Sequence, residues 1–207
     1  MLKSADLYQS YVVGHQLERT GLFALLRETW PAAHTVLYPG CFLHVTPSFF
    51  YQHVVYVDRN ELARDFFADV EGVRRLISAR RQYRQDAHVR FLEQDYTTPL
   101  PLPEASFDLL LALYAGGISR ACHKYLKPGG LLLTNDHHGD AAEAASEKTL
   151  ELVAVVTERR GHFEFRTEDL SGFLVPKEPG RPHSRGGSGY VRSADAYLFR
   201  RKRTDSR

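Results

Sequence analysis

Cysteine is nearly missing from this chain: Cys41 and Cys122 are the two present in 207 residues. Two thiols so far apart in sequence make neither a zinc-type ligand spacing nor a disulfide framework. Long hydrophobic runs are missing as well. No segment approaches the roughly 20 apolar residues that span a bilayer, and the opening MLKSADLYQSYVVGHQLERT lacks the continuous apolar stretch of a signal peptide. The expected location is the cytoplasm, with no membrane partner. Excess charge of one sign is also lacking: the formal net charge is +2, which provides no global attraction to nucleic acid, so nucleic acid is not an expected partner. Finally, no G-x-G-x-x-G occurs, which counts against a nicotinamide-dinucleotide site.

What is present suits one globular domain. The composition is 43% hydrophobic and 25% charged, and this length can bury a substantial core. The expected layout is a single domain over 1–207: an N-terminal helical cap at 1–33, an α/β core at 34–200 and a basic tail at 201–207. Arginine pairs at 74–75, 80–81 and 159–160 are expected on solvated faces.

The richest stretch runs from His34 to Asp58. Thr35–Tyr38 is a short β-type run, Pro39-Gly40 breaks it, Thr46-Pro47 offers an N-cap and first helical residue, and Val54–Val57 is a second run ending on Asp58. Strand, glycine turn, short helix and strand with a terminal carboxylate is the opening of a nucleotide-binding α/β sheet. The glycine allows close backbone approach to a ligand. The carboxylate can accept hydrogen bonds from a ribose diol, and its separation from the glycine is near the ~20 residues of that fingerprint.

Upstream, Ser4 to Trp30 carries helical spacing interrupted by Gly14 and Gly21, with Ser4 as a candidate N-cap. Downstream, helices are expected over Glu61–Phe67 and Val73–Tyr83, and a third strand over Val89–Leu92. The nearly continuous apolar run Phe107–Tyr114 suits a central parallel strand. Lys127-Pro128-Gly129-Gly130 predicts a tight turn before a fifth strand at Leu131–Asn135. A helix over Asp140–Lys148, strands at Glu151–Thr157 and Ala196–Arg200, and between them a further short strand suggested by the alternation at Phe163–Arg166 complete the reading. The segment 179–189 is too rich in Gly, Pro and Ser to order itself.

Four pieces of this pattern, VLYPG, VVYVD, FLEQDY, and ASFDLLLALYAG followed by LKPGGLLLTND, occur in one order over roughly residues 35–136. In that order they resemble the class I S-adenosylmethionine-dependent methyltransferases, and most nearly bacterial proteins with a YPG first turn. The resemblance implies an α/β, Rossmann-like, seven-stranded and mostly parallel sheet with helices on both faces and the last strand antiparallel. It also implies S-adenosylmethionine as cofactor and methyl transfer to a small-molecule acceptor. By position, the backbone at Tyr38, Pro39 and Gly40 would pass under the methionine part of the cofactor, and Asp58 would take the ribose hydroxyls. Asp95 and Tyr96 would flank the adenine, with Tyr114 and Ala115 on the methionine side. The first turn departs from the family. It holds one glycine, and Cys41, Phe42 and Leu43 stand where small residues are usual; His44 falls near a position that is acidic in some members.

Chemistry beyond cofactor binding points to Asn135–Asp140, which follows the fifth strand. His137 or His138 can act as general base on an attacking hydroxyl or amine, and Tyr114 can sit at the pocket edge. The same Asp-His-His-x-Asp set contains metal-ligand types, but the bland alternative is that Asp136 or Asp140 caps the next helix and the histidines are solvated. No metal is assigned. Two other readings stay open: a non-catalytic methyltransferase-fold protein acting as a binding or interaction module, and a nicotinamide oxidoreductase. Cys41 reads as a small buried hydrophobe.

Overall fold

The computed structural model describes residues 4–177 and 189–203. The segment expected to be loop at 179–189 therefore lies almost entirely outside the described residues, as do the last four residues of the basic tail. The chain packs as two compact units, one up to Leu100 and one from Pro101 onward.

The first unit is built on three parallel strands in the order β3-β2-β1: β1 (Thr35–Pro39), β2 (His53–Asp58) and β3 (His88–Glu93). Their register pairs Leu37 with Val55 and Val55 with Arg90. Tyr38, Tyr56, Val36 and Val57 are fully buried, because parallel strands are covered by the helices that connect them. The connection from β1 to β2 is a buried turn followed by the four-residue helix α3 (Pro47–Phe50). The connection from β2 to β3 carries α4 (Glu61–Ala68) and α5 (Val70–Ser78). Each starts on a side-chain cap, Asn60 accepting from the Leu62 amide and Asp69 from the Gly72 amide; such caps typically contribute about 1 kcal/mol.

The N-terminal region forms α1 (Ser4–Tyr8), a π-helical turn (Gln9–Val13) and α2 (Thr20–Thr29). Leu22, Phe23 and Leu26 of α2 are buried at 1% or less exposure, which stabilises the unit by roughly 1.5–3 kcal/mol for each such side chain. Ser4 does not cap its own helix as expected. Its hydroxyl bonds Asp69 Oδ2 at 2.7 Å and so pins α1 to the junction of α4 and α5.

The second unit has five strands in the order β4-β5-β8-β6-β7: β4 (Phe107–Ala112), β5 (Leu126–Thr134), β6 (Leu150–Arg159), β7 (His162–Arg166) and β8 (Ala196–Arg201). β4 and β5 are parallel, β8 is antiparallel to both β5 and β6, and β7 is antiparallel to β6. Among the described residues the strand total is thus eight rather than seven. The extra strand is the alternating segment near Phe163, held as a hairpin by Arg160 (φ +53°) and Gly161 (φ +79°), the two positive-φ positions of a type I′ turn. Helices α6 (Ile118–Cys122) and α7 (Asp140–Ser146) follow β4 and β5.

LKPGG is not a turn ahead of the fifth strand, as its Pro-Gly composition suggests, but a bulge inside it. Phe107 pairs with Leu126, yet Leu109 pairs with Leu131. Gly130 is required there: a Cβ would lie 2.9–3.2 Å from the carbonyl oxygens of Lys127, Phe107 and Asp108. Backbone carbonyls cannot move aside for it.

Candidate functional site

In the first unit, every cofactor residue expected before β4 lies at the carboxyl ends of the parallel strands, where open α/β sheets bind ligands. After Pro39 the chain turns on Gly40 (φ +62°), whose amide donates to the Val57 carbonyl at 2.8 Å. Phe42 also adopts positive φ (+48°), a conformation that costs a non-glycine residue about 1–2 kcal/mol. What offsets it is Asp58: the Phe42 amide donates to Asp58 Oδ2 at 2.7 Å, and the Asn60 amide donates to Oδ1 at 2.9 Å. The carboxylate is therefore both the terminus of β2 and the clamp of the turn after β1. Each of its oxygens has accepted one bond, and a carboxylate offers about four acceptor positions, so two remain.

Most of the bulk of this turn is packed into the core. Cys41, Leu43 and Val45 are completely buried; burial raises the Cys41 thiol well above its usual range, which rules out thiolate chemistry at neutral pH. Phe42 is half-buried and meets the Tyr11 ring edge-on, centroids 5.6 Å apart.

His44 is not a stand-in for an acidic ligand. Its Nε2 donates to the Glu18 carbonyl at 3.3 Å, and its Nδ1 lies 2.9 Å from the Tyr38 hydroxyl. A carbonyl can only accept, so Nε2 carries the hydrogen and Tyr38 donates to Nδ1. Burial lowers the His44 pKa to about 4, and the ring is neutral. Thr46, read as a helix cap, makes no capping bond; its hydroxyl pairs with Tyr8 Oη at 2.7 Å. Tyr8 donates in turn to Glu18, which also receives Arg80. Burial alone would raise the Glu18 carboxyl, but the Arg80 and Tyr8 bonds hold it below its usual range. Arg80 further lies 4.5 Å from the Phe49 ring centroid. A member of an arginine pair read as solvated is thus a clamp on the N-terminal region.

At the end of β3, Asp95 Oδ1 accepts from both the amide and the hydroxyl of Thr97, and Oδ2 accepts from Arg59 at 2.9 Å. These bonds, Thr97 first, hold its carboxyl below the usual range. Tyr96 beside it is half-buried. Arg59 went unremarked in the sequence, although a cation immediately after the β2 carboxylate was the available signal.

In the second unit, the residues after β4 and β5 are brought together. Asn135 donates from its side chain to the Leu113 carbonyl and from its backbone to Ala112. Gly116 lies so close to His138 that a Cβ would sit 2.8 Å from the histidine's own. Tyr114 and Ala115 are half-buried, whereas His137 and His138 are exposed. The two aspartates are occupied. Asp136 accepts from the Ala142 amide of α7 at 3.2 Å and from Tyr190 Oη at 2.8 Å. Asp140, 1% exposed, accepts from the Ser119 amide and the Thr134 hydroxyl, each at 3.1 Å. Among the described residues no cluster of histidine, cysteine and carboxylate side chains has metal-site geometry. Tyr190 was not singled out, because it follows a Gly/Ser-rich stretch that carries no positional signal.

No protein-family model matches the sequence, and no curated protein does. Structural likeness is extensive. A Thermotoga maritima S-adenosylmethionine-dependent methyltransferase, a possible histamine N-methyltransferase, aligns over 97% of this chain and 96% of its own at a TM-score of 0.51 and 11% identity. The fold is that of the class I S-adenosylmethionine-dependent methyltransferases. A Corynebacterium glutamicum protein aligns over 99% of this chain and 92% of its own, with TM-score 0.51 and 9% identity. A tRNA (m1A58) methyltransferase from Aquifex aeolicus covers 90% of this chain and 69% of its own, with TM-score 0.47 and 11% identity. The chain spans 44%, 60% and 53% of the length of three further structures it matches. At these identities the likeness establishes a methyltransferase fold and leaves the activity to be argued from the residues.

Proposed function

We propose that this chain binds S-adenosylmethionine and transfers its methyl group to a small-molecule acceptor. The observation that carries the reading is Asp58. It is held at the end of β2 by the amides of Phe42 and Asn60, and it keeps two acceptor positions for a ribose diol. Gly40 gives the backbone approach that a ligand beside β1 requires, and Tyr38 and Pro39 contribute backbone there. Asp95, fixed by Thr97 and Arg59, and Tyr96 are assigned to the adenine. When bound, the cofactor supplies an already activated methyl group, so the protein's part is alignment and proton management. Tyr114 and Ala115 are assigned to the methionine side, and His137 or His138 to accepting the acceptor's proton.

The test is isothermal titration of S-adenosylmethionine and S-adenosylhomocysteine into wild type, Asp58→Asn and Asp58→Ala. Micromolar binding, weakened at least tenfold (about 1.4 kcal/mol) by Asp58→Asn with a smaller loss of melting temperature than in Asp58→Ala, is the expected result. Asn keeps one of the two acceptors of the turn and sets its own NH2 against the other backbone N–H, whereas Ala removes both acceptors and lowers stability further. Absence of wild-type binding overturns the proposal in favour of a non-catalytic binding module. The filled, single-glycine turn is the observation that favours that second reading.

A further inference from the structure

The amino ends of β1 and β2 frame a cavity of about 400 Å³ that plays no part in the proposed cofactor site. Asp58 lies five residues further along β2, about 17 Å away at strand rise. Arg27, His34, Tyr51, Gln52, His53 and Tyr83 are among the lining residues. Its volume falls within the range of small-molecule sites, and its lining combines aromatic rings with polar groups.

Two features give it chemical direction. Arg27 is half-buried, and its Nη1 donates to the carbonyls of Pro31 at 2.6 Å and Ala33 at 2.9 Å. Those two bonds fix the plane of the guanidinium, and its other nitrogens have no protein partner among the described residues. No carboxylate lines the cavity. Arg27 is the one arginine or lysine among the described lining residues. A pre-oriented guanidinium without a carboxylate partner suits a planar oxyanion. The second feature is Tyr51, 1% exposed, whose hydroxyl has no hydrogen-bond partner among the described residues. A buried hydroxyl without a partner is costly, and such groups call for a specific explanation. Tyr51 lies beneath Arg27, whose guanidinium carbon is 5.9 Å from the ring centroid.

We propose that this cavity binds a small organic anion with a flat apolar body, its carboxylate or phosphate on Arg27 and the Tyr51 hydroxyl as its second polar contact. The site is separate from the cofactor site and stands whether or not the chain transfers methyl groups.

The test is a titration of benzoate, phenyl phosphate and neutral benzamide into the ¹⁵N-labelled protein, followed by amide shifts at constant ionic strength, with and without S-adenosylhomocysteine. Saturable shifts confined to residues near 27–35, 50–53 and 83–85, for at least one anion and not for benzamide, are expected, with no competition from S-adenosylhomocysteine. Whether benzoate or phenyl phosphate saturates first decides between carboxylate and phosphate. Arg27→Gln should weaken binding at least tenfold and Tyr51→Phe several-fold. Arg27→Gln removes bonds to Pro31 and Ala33 and can disturb folding, whereas Tyr51→Phe removes a single unpartnered hydroxyl and keeps the packing. Equal binding of benzamide, the absence of any saturable shift, or unchanged affinity in Tyr51→Phe would overturn the proposal.

Discussion

The turn after β1 and the loop after β5 both close the carboxyl end of a parallel strand, yet they are built from opposite materials. Within residues 40–46 all but Gly40 and Phe42 are buried, and the turn is locked by a network of Tyr38, His44, Glu18, Tyr8, Thr46 and Arg80. Residues 136–139 present two exposed histidines, with only the flanking Asn135 and Asp140 buried. In the first region most polar side chains are engaged with one another, while Asp58 at its edge keeps acceptor capacity. In the second, structure is delegated to Asn135, Asp136 and Asp140, and the titratable imidazoles are left to solvent. On the proposed reading, ligand placement falls to the packed turn and proton exchange to the exposed loop.

The comparison breaks most visibly in acid. His44 has a folded pKa of about 4 against an ordinary value near 6.5. Its contribution to stability is therefore complete above pH 6.5 and is lost as pH falls toward 4, because the unfolded chain takes up the proton first. The full difference is on the order of 3 kcal/mol. Urea midpoints recorded from pH 7 to pH 4 should drop accordingly, and the non-titrating His44→Gln should flatten that part of the profile. A wild-type profile already flat over this window would show that the turn is not locked by a neutral imidazole.

A smaller loss is expected from the second region's own buried anchor. Asp140→Ala leaves the Ser119 amide and the Thr134 hydroxyl without their acceptor in a buried site. We expect about 2–3 kcal/mol of destabilisation, read from chemical denaturation. If the loss is instead near zero, the Asn135–Asp140 loop is held by something other than this carboxylate.

The smallest stability change sharpens the contrast. His137→Ala and His138→Ala should leave the melting temperature within about 1–2 °C of wild type. If either is the base, its methyl-transfer rate should fall by on the order of 10² or more once an acceptor is in hand. A large drop in melting temperature from either variant would place that histidine in the structure rather than in the chemistry.

Much of the frame was legible along the chain. The apolar runs at Thr35–Tyr38, Val54–Val57 and Phe107–Tyr114 fall on β1, β2 and β4, the last ending at Ala112, because buried parallel strands tolerate such continuity. Asp58 was readable as a strand-terminal carboxylate. Illegible were partners distant in sequence: Arg80 with Glu18, Tyr190 with Asp136, and Ser4 with Asp69 are separated by 62, 54 and 65 residues. The misread of LKPGG has a similar cause. Proline and glycine mark a break in regular backbone, but whether that break is a turn or a bulge depends on the strand alongside.

By itself, then, the sequence determined the succession of strands and helices, the placement of Gly40 and of Asp58 at the strand ends, and the chemical types available there, because periodicity and backbone preference are local. Tertiary structure decided which groups were spent and which were kept. It made His44 neutral through desolvation, turned Asp58 into a clamp with spare acceptors, and buried Asp140 while leaving His137 and His138 in water. Protonation and hydrogen-bond occupancy depend on neighbours that only folding brings within reach.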